Sequence, residues 1–461
     1  MLTDFANGDE SRNSFWPRVR EFAVPPSMID TATARRRVGD WAGACAAAGF
    51  DVDIDLRSLA REFGHELANR VRGDLRHLAP DLLRWHMPRV APDGLLRPGL
   101  TIALARYDPL ECETPCGAVH LVVRTAPTWA EAGQRIELAL WAASDARTGR
   151  HPHPRPNRRF RLDLHRHLWD ARRADELRMR CGAGGSGGDD SRVDPGLLGM
   201  VPAGRHAAIG RWAAEARMLL DAEGAREDTF LLRLGTRRQV VAELVGSDAG
   251  HVAVRRAAHP AGTVTALPIL PDAATWMPPD VELLRSGAIS ADRLHPLVAA
   301  ALLPDYTPGE SAWDPGRSGQ PLLVECGAAR HRLGLVDGVL TALDHDPAEL
   351  AREHLLIALT GNPLPCLRVI DQAHRDPDCL QGIRDRLDHG DTAGALAVIT
   401  DLLGAEAALR DGALRDELQA SAKRRITYGL YRAGLTGSAP NAPARRRPTD
   451  RRAHPRHAST R

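Results

Sequence analysis

The spacing of apolar residues changes along the chain and predicts helices first and strands afterwards. Helical spacing runs through residues 27–37, 41–48 and 56–78. Alternating or β-branched runs follow at 101–107, 118–124, 135–141 and 159–167. Alternation with a period of two is typical of a strand with one buried face. We therefore predict N-terminal helices beside a small, mostly antiparallel sheet of four strands.

A second set of strand-like runs follows a helical segment at 204–222, on which Trp212, Ala216 and Leu219 share one face. These runs lie at 229–234, 239–245 and 251–255, with a predicted hairpin at 322–326 and 331–336. From Asp346 the pattern is helical, because Asp346 and Glu349 form a capping box. The predicted fold class is α+β, with a second α+β unit and a C-terminal all-helical region.

Gly, Ser and Pro runs predict where these parts begin and end. The Gly/Ser/Asp run at 182–191 is typical of a flexible linker. The predicted parts are a disordered lead-in (1–14), an N-terminal α+β domain (15–181), a flexible linker (182–196), a middle α+β domain (197–345), a C-terminal helical domain (346–436) and a disordered basic tail (437–461).

Two short segments share one local pattern. The eight residues from Gly39 and the eight from Gly390 agree at six positions, including Gly-Asp at the start and Ala-Gly-Ala in the middle. Both predict a helix-turn-helix corner, in which Gly ends one helix and Asp caps the next. Such corners are typical of stacked helical hairpins, which serve as binding surfaces. Coincidence also explains the agreement, because no 20–50-residue period links the copies.

Charge is unevenly distributed along the 461 residues. Formal net charge is +2, but the tail from Gly437 has seven Arg and one Asp, which leaves −4 for the rest. A mildly acidic body excludes a broad phosphate-binding face, so nucleic-acid contact is expected only through the tail. The acidic body favours a protein partner with a basic patch. Neither a signal peptide nor a membrane-spanning run is present, which predicts a cytoplasmic protein without membrane contact.

Seven scattered cysteines predict reduced thiols. The closest pair, Cys112 and Cys116, lacks the second pair that structural zinc needs. The glycines at 182–188 match the dinucleotide fingerprint and, around Ser186, the nucleophile-elbow pattern. Both motifs need a strand before the glycines and a helix after them. A charged helix precedes them here, so we predict a linker and neither catalytic nor cofactor-binding residues.

Two groups of acidic and histidine residues carry metal hypotheses. Asp163, His165 and His167 alternate along the predicted strand 159–167, so a carboxylate and two imidazoles could converge on one metal. This site would support a metal-dependent hydrolase. The alternative is that Asp163 and nearby Arg residues pair with these histidines on a polar sheet face. Asp51, Asp53 and Asp55 are interpreted as a solvated face, with Asp55 near a helix N-terminus and Mg²⁺ binding as the alternative.

Three further runs carry a resemblance to a known family. They are Arg84-Trp-His-Met-Pro-Arg89, Asp163-Leu-His-Arg-His-Leu-Trp169 and Arg424-Arg-Ile-Thr-Tyr-Gly-Leu-Tyr431. With them, most of the chain resembles a family from GC-rich actinobacteria. The resemblance implies association with MoxR-type AAA ATPases and von Willebrand factor A proteins, but no catalytic residues. We therefore expect a non-enzymatic adaptor or scaffold that binds another protein, with the metal-dependent hydrolase as the alternative.

Overall fold

The computed structural model describes residues 15–108, 117–143, 151–181, 193–235, 238–246, 252–258, 266–306, 322–326, 329–346, 348–349, 351–352 and 365–435. Their α-helices are α1 (Trp16–Arg18), α2 (Pro26–Arg37), α3 (Trp41–Ala47), α4 (Leu56–Phe63), α5 (His65–His77), α6 (Pro80–His86), α7 (Leu177–Arg180), α8 (Pro195–Leu198), α9 (Trp212–Glu223), α10 (Asp272–Thr275), α11 (Pro279–Arg285), α12 (Pro296–Leu302), α13 (Pro365–Arg375), α14 (Leu380–His389), α15 (Thr392–Leu403) and α16 (Ala413–Arg432). Their strands are β1 (Phe50–Asp53), β2 (Arg89–Val90), β3 (Leu95–Leu96), β4 (Thr101–Tyr107), β5 (Val119–Thr125), β6 (Ile136–Ala142), β7 (Thr229–Arg233), β8 (Gln239–Gly246), β9 (Val252–Arg256), β10 (Leu322–Cys326), β11 (Ala329–Val336) and β12 (Val339–Ala342).

These elements confirm the α+β class. The predicted lead-in (1–14), the glycine run of the linker and the basic tail lie outside the described residues, as do Cys112 and Cys116.

The first sheet has the strand order β1-β6-β5-β4, with β1 parallel to β6 and the other pairs antiparallel. Three of its four strands match the predicted runs. The fourth prediction, a strand at 159–167, is wrong. That segment forms successive turns, in which Leu164 N donates to Arg161 O and His165 N donates to Leu162 O. Its alternation comes from charged side chains that pair locally, whereas β1 completes the sheet and buries Phe50.

The N-terminal helices cover one face of this sheet. The predicted helix at 56–78 is two helices, because Gly64 adopts φ 89° between α4 and α5. Trp85 and Trp169 are fully buried in the resulting core. Apolar residues of α11 and α12, such as Leu283 and Val298, belong to the same core. The predicted middle domain at 197–345 therefore does not follow the packing, because residues 281–302 return to the first unit.

A second core lies between the antiparallel sheet β7-β8-β9 and α9. As predicted, Trp212, Ala216 and Leu219 are buried on one face of α9. The helix begins at Trp212, later than predicted. The residues before it are irregular, with Gly204 at φ 71° and a 3₁₀ turn at Ile209–Arg211.

The C-terminal part combines helices with a sheet. Strands β10, β11 and β12 form an antiparallel meander, and Leu333 of β11 packs against Leu367 and Ile370 of α13. Leu340 of β12 packs against the core of α14 to α16. The helices at 365–432 confirm a helical C-terminal region. The boundary predicted at residue 346 instead separates a sheet from the helices that cover it.

The two predicted helix-turn-helix corners are confirmed. The glycine that ends the first helix has φ 79° in one corner and 91° in the other. Asp40 accepts a hydrogen bond from Gly43 N (2.8 Å), and Asp391 accepts one from Gly394 N (2.9 Å). A β-carbon on Gly43 or Gly394 would lie 2.1 Å from that carboxylate. The shared sequence therefore specifies one geometry twice.

Candidate functional site

The side chains of Asp163, His165 and His167 do not share a strand face. Both Asp163 oxygens accept hydrogen bonds from Arg161 (2.8–3.1 Å). His165 precedes a 3₁₀ turn that contains His167, and their rings meet edge to face at 5.8 Å. Among the described residues, no group of three or more His, Cys, Asp or Glu side chains is placed to hold a metal ion.

His165 instead belongs to a buried charged group that joins the first unit to α9. Its Nδ1–H donates to Arg161 O (2.8 Å), and its Nε2 lies 3.2 Å from Glu215 without hydrogen-bond alignment. Glu215 also accepts two hydrogen bonds from Arg180 (2.7 and 2.8 Å). Burial opposes ionisation of Glu215, but these contacts outweigh it and lower its pKa to about 2. The group is a charged contact between two units.

His167 lies deeper, and its environment disfavours a proton. Burial, followed by the charges of His165 and Arg180, lowers the pKa of His167 well below its ordinary value. A neutral, buried imidazole beside the His165 ring fits a packing role.

Asp51 and Asp55 also have structural partners. Asp55 caps α4 by accepting hydrogen bonds from Arg57 N and Ser58 N (2.9 and 3.2 Å), as the sequence predicts. Asp51 pairs with Arg135 and accepts a hydrogen bond from the Tyr428 hydroxyl of α16 (2.8 Å).

The run from Arg84 to Arg89 is buried at the centre of the molecule. The Arg84 guanidinium donates to three main-chain carbonyls: Ala23 O (2.8 Å), Gln134 O (2.6 Å) and His389 O (2.8 Å). No ion pair with a carboxylate accompanies these bonds among the described residues. Burial lowers the pKa of Arg84 to about 10, which leaves it charged at neutral pH. One side chain thus joins the π-helical turn Val19–Ala23 after α1, the loop before β6 and the C-terminal helices.

A buried ion pair lies next to this run. Arg20 donates to Asp280 of α11 (2.6 Å), and Trp85 Nε1–H donates to the same oxygen (2.8 Å). The Arg20 guanidinium also lies 3.3 Å from the centroid of the Trp85 ring. Burial opposes ionisation of Asp280, but Arg20 and His86 hold its pKa below the ordinary value. The pair fixes α11 to the first unit.

The C-terminal helices dock on the first unit around His389 and Gly390. A β-carbon on Gly390 would lie 2.1 Å from Gly133 O, so the corner approaches the loop before β6 main chain to main chain. The His389 ring stacks on Phe22 at 6.3 Å between centroids. Farther along, Tyr431 of α16 meets Trp129 edge to face at 5.3 Å. These contacts make the corner part of an internal interface and not a free surface.

We expect this interface to make the chain sensitive to acid. Burial, then the charges of Arg89 and Arg84, lowers the pKa of His389 to about 3. Because this value is below the unfolded value of about 6.5, the unfolded state binds more protons as pH falls. The contribution of such a histidine to the free energy of unfolding is therefore fully present above about pH 6.5. Below that pH, the free energy of unfolding falls by roughly 1.4 kcal/mol per pH unit for each such histidine.

The measurement is urea unfolding between pH 7.5 and 5. Replacing His389→Gln should reduce the pH slope of the unfolding free energy by about one proton, whereas exposed His65→Gln should not. An unchanged slope in His389→Gln would show that this ring does not stay neutral in the folded state. Five further histidines with lowered pKa values contribute to the remaining slope: His120, His151, His167, His295 and His374.

Next to the meander, His345, Cys366 and Glu349 form another polar group. Cys366 Sγ lies 3.4 Å from His345 Nε2, and His345 Nδ1 lies 3.7 Å from Glu349. The arrangement of Cys366, His345 and Glu349 resembles a catalytic nucleophile, its base and an acid that orients the base. Cys366, however, is fully buried in the core between α13 and the meander. A buried thiol without solvent access fits packing better than catalysis.

The side of α16 that faces away from Tyr428 and Tyr431 is exposed to solvent. At 100° per residue, five exposed small or apolar residues share one face, which we call the α16 stripe: Ala422, Ile426, Gly429, Leu430 and Ala433. Tyr428 and Tyr431 lie on the buried side. Exposed Lys423 and Arg425 lie on either side of the stripe. The sequence predicted a helix here, but the direction of its free face depends on the contacts of Tyr428 and Tyr431.

Within the described residues, no helix combines the length and apolar character that crossing a membrane requires. No family model, curated protein or solved structure matches this chain.

Proposed function

We propose that the chain is a non-enzymatic adaptor that binds a partner protein through the α16 stripe. The observation that carries this proposal is the uneven distribution of exposed apolar side chains. Ten large apolar side chains are exposed in the described residues, and eight of them lie between residues 322 and 435. Single exposed apolar residues are ordinary, whereas a concentration in one region is typical of an interaction site.

Within that region, the α16 stripe has the geometry of a helix-binding surface. Ile426 and Leu430, 63% and 41% exposed, are one turn apart, and the small residues around them leave room for close approach. An amphipathic helix uses anchors at this spacing to pack against another helix. The rest of α16 is held by Tyr428 and Tyr431, so the stripe is presented on a fixed helix.

Charge indicates the chemistry of the partner. Lys423 and Arg425 border the stripe, and the sequence after Leu435 adds seven Arg against one Asp. Although the body of the chain is acidic, its charge around the stripe is basic. We therefore propose an amphipathic helix with an acidic rim as the occupant, with association that weakens as salt rises. The resemblance makes a MoxR-type AAA ATPase and a von Willebrand factor A protein the first candidates.

The cytoplasm is the proposed location. Cys45 and Cys379 form no disulfide with any residue that the structure describes, which fits a reducing compartment.

We expect a double substitution in the stripe to abolish most partner binding. Ile426→Glu with Leu430→Glu places two carboxylates where an apolar contact is expected and should weaken binding at least about tenfold, or 1.4 kcal/mol. The measurement is calorimetric titration of the full chain with each purified candidate. Both positions are exposed, so the unfolding free energy should change by less than about 0.5 kcal/mol per substitution.

The matched control is Val38→Glu with Met179→Glu. These apolar side chains are 79% and 60% exposed but lie outside the C-terminal region. The control should bind within about twofold of wild type. Full binding by the stripe variant, or equal losses in both variants, would contradict the proposed surface.

A further inference from the structure

A cleft of about 690 Å³ opens at one end of the first sheet. Three segments form its walls: residues 97–101, which lead into β4 and include its first residue, residues 127–128 after β5, and residues 152–157. The volume is in the range of small-molecule sites, roughly 300–1,000 Å³. Much of the wall is non-polar and rigid, because it contains four prolines: Pro98, Pro127, Pro152 and Pro154.

The ionisable side chains that line the cleft all have basic character. Arg97 belongs to the segment before β4, and His153 and Arg155 belong to the segment 152–157. The residues of the described chain that line it include no Asp or Glu. A cleft of this composition attracts anions, and its low-dielectric walls strengthen the attraction.

Arg97 is held in place by its main chain while its side chain has no partner. Arg97 N donates to Pro88 O (2.9 Å), and its carbonyl accepts a hydrogen bond from Thr125 Oγ1 (2.7 Å). Its half-buried guanidinium makes neither a hydrogen bond nor an ion pair with any residue that the structure describes. Nearby Arg159, in contrast, forms two hydrogen bonds with Asp272 (2.6 and 2.8 Å).

Further guanidinium groups lie behind this wall. Among the described residues, the charges of Arg159 and Asp272 act on both Arg97 and Arg233, and Arg233 also acts on Arg97. Burial, followed by the charge of Arg159, lowers the pKa values of Arg97 and Arg233. Arg233 Nε is buried and has no hydrogen-bond partner among the residues that the structure describes. A bound anion would be attracted by these neighbouring guanidinium groups.

The wall segment 152–157 is held in place by the buried side chain of His151. His151 Nε2–H donates to Thr125 O (3.0 Å), and its Nδ1 accepts a hydrogen bond from His153 N (3.2 Å). Thr101 Oγ1–H donates to His153 O (2.6 Å). The main chain that carries His153 is therefore held against β4 and β5, and the cleft does not need to form on binding.

We propose that this cleft binds a small molecule that carries a phosphate group, with Arg97 and Arg155 as the phosphate ligands. Donors from two separate segments suit a tetrahedral anion with three free oxygens and up to two charges. A planar carboxylate would be satisfied by one guanidinium fork. The proline walls accommodate an apolar body of the ligand. The proposal does not depend on the α16 stripe, because the stripe is the exposed face of α16, whereas the buried face of that helix packs on Trp129 beside the cleft.

The test is calorimetric titration of the full chain with phenyl phosphate, benzoate and phenol at fixed ionic strength. We expect saturable binding of phenyl phosphate at one site, weaker binding of benzoate and none of phenol. Arg97→Gln should weaken phenyl phosphate binding by about ten- to a hundredfold, because a charge-assisted contact is lost. Exposed Arg76→Gln is the matched control and should bind within about twofold of wild type.

Arg155→Gln provides a second variant, because Arg155 is exposed and its loss does not disturb packing. It should also weaken phenyl phosphate binding, whereas the Ile426→Glu, Leu430→Glu variant should bind normally. The proposal is overturned if phenyl phosphate fails to saturate, if both arginine variants bind like wild type, or if benzoate or phenol binds as tightly.

Discussion

Replacing Arg84→Met is expected to lower the free energy of unfolding by about 3–5 kcal/mol. Methionine fills much of the same volume but donates no hydrogen bond. Ala23 O, Gln134 O and His389 O would each lose a charge-assisted bond in the buried interior. The variant also gains by not burying a charge, but three unsatisfied carbonyls outweigh that gain. Urea unfolding of the full chain measures the change.

Because one of these carbonyls belongs to α14, Arg84→Met should also loosen the C-terminal helices. Hydrogen exchange in residues 380–403 should therefore increase more than exchange in β5. Arg84→Lys should recover only part of the stability, since one ammonium cannot reach three separate carbonyls as a guanidinium does. Exposed Arg76→Met is the control and should change stability by less than about 0.5 kcal/mol. Equal changes in the free energy of unfolding for Arg84→Met and Arg76→Met would show that the hydrogen bonds of Arg84 do not stabilise the fold.

Replacing Asp280→Ala is expected to cost about 3–5 kcal/mol, because it leaves the buried charge of Arg20 without its counter-charge. Arg20 and Asp280 are both nearly inaccessible to water, and Trp85 Nε1–H would lose its acceptor as well. Burial already lowers the pKa of Arg20 to about 10 with Asp280 present. The unfolding free energy at pH 7 gives the size of the effect.

The double variant Arg20→Met, Asp280→Ala separates the pair from the cavity that Asp280→Ala leaves. Removing both charges should recover at least about 1 kcal/mol relative to Asp280→Ala alone. The half-exposed pair of Arg217 and Asp228, 2.8 Å apart, is the control, and Asp228→Ala should cost less than about 1 kcal/mol. A double variant that is less stable than Asp280→Ala would mean that the Arg20 charge is not the source of the loss.

Local pattern predicted the strands whose alternation reflects burial. The runs at 101–107, 118–124 and 135–141 became β4, β5 and β6 within one residue, because their inward side chains fill a core. The run at 159–167 alternates equally well, but its polar residues pair with one another and with Glu215. Periodicity alone does not separate these cases. The true fourth strand, β1, is short and carries two aspartates, so it lacked a clear strand signal.

The central contacts could not be predicted, because their partners are remote in sequence. Arg84 and His389 are 305 residues apart, and Trp85 and Asp280 are 195 apart. The run from Arg84 to Arg89 stood out as a motif, but nothing local indicates that Arg84 binds carbonyls and not a ligand. The helix-turn-helix corners were predictable because every contact that shapes them lies within eight residues. Their docking on the first unit was not.

Which face of α16 is exposed could not be predicted from the sequence either. Its sequence predicts a helix, yet Tyr428 and Ile426 are equally plausible core residues until the contact of Tyr428 with Asp51 is known. That contact turns Ile426 and Leu430 outward. The proposed binding surface, the α16 stripe, is therefore identified from tertiary contacts and not from the sequence.

The most direct test places a photo-cross-linking amino acid at position 426 of the full chain in the cells that produce it. The same amino acid at position 38, which is more exposed but lies in the first unit, provides the comparison. We expect one dominant protein adduct from position 426, absent from position 38 and reduced by Lys423→Glu with Arg425→Glu. No adduct at position 426, or the same adducts from both positions, would contradict it.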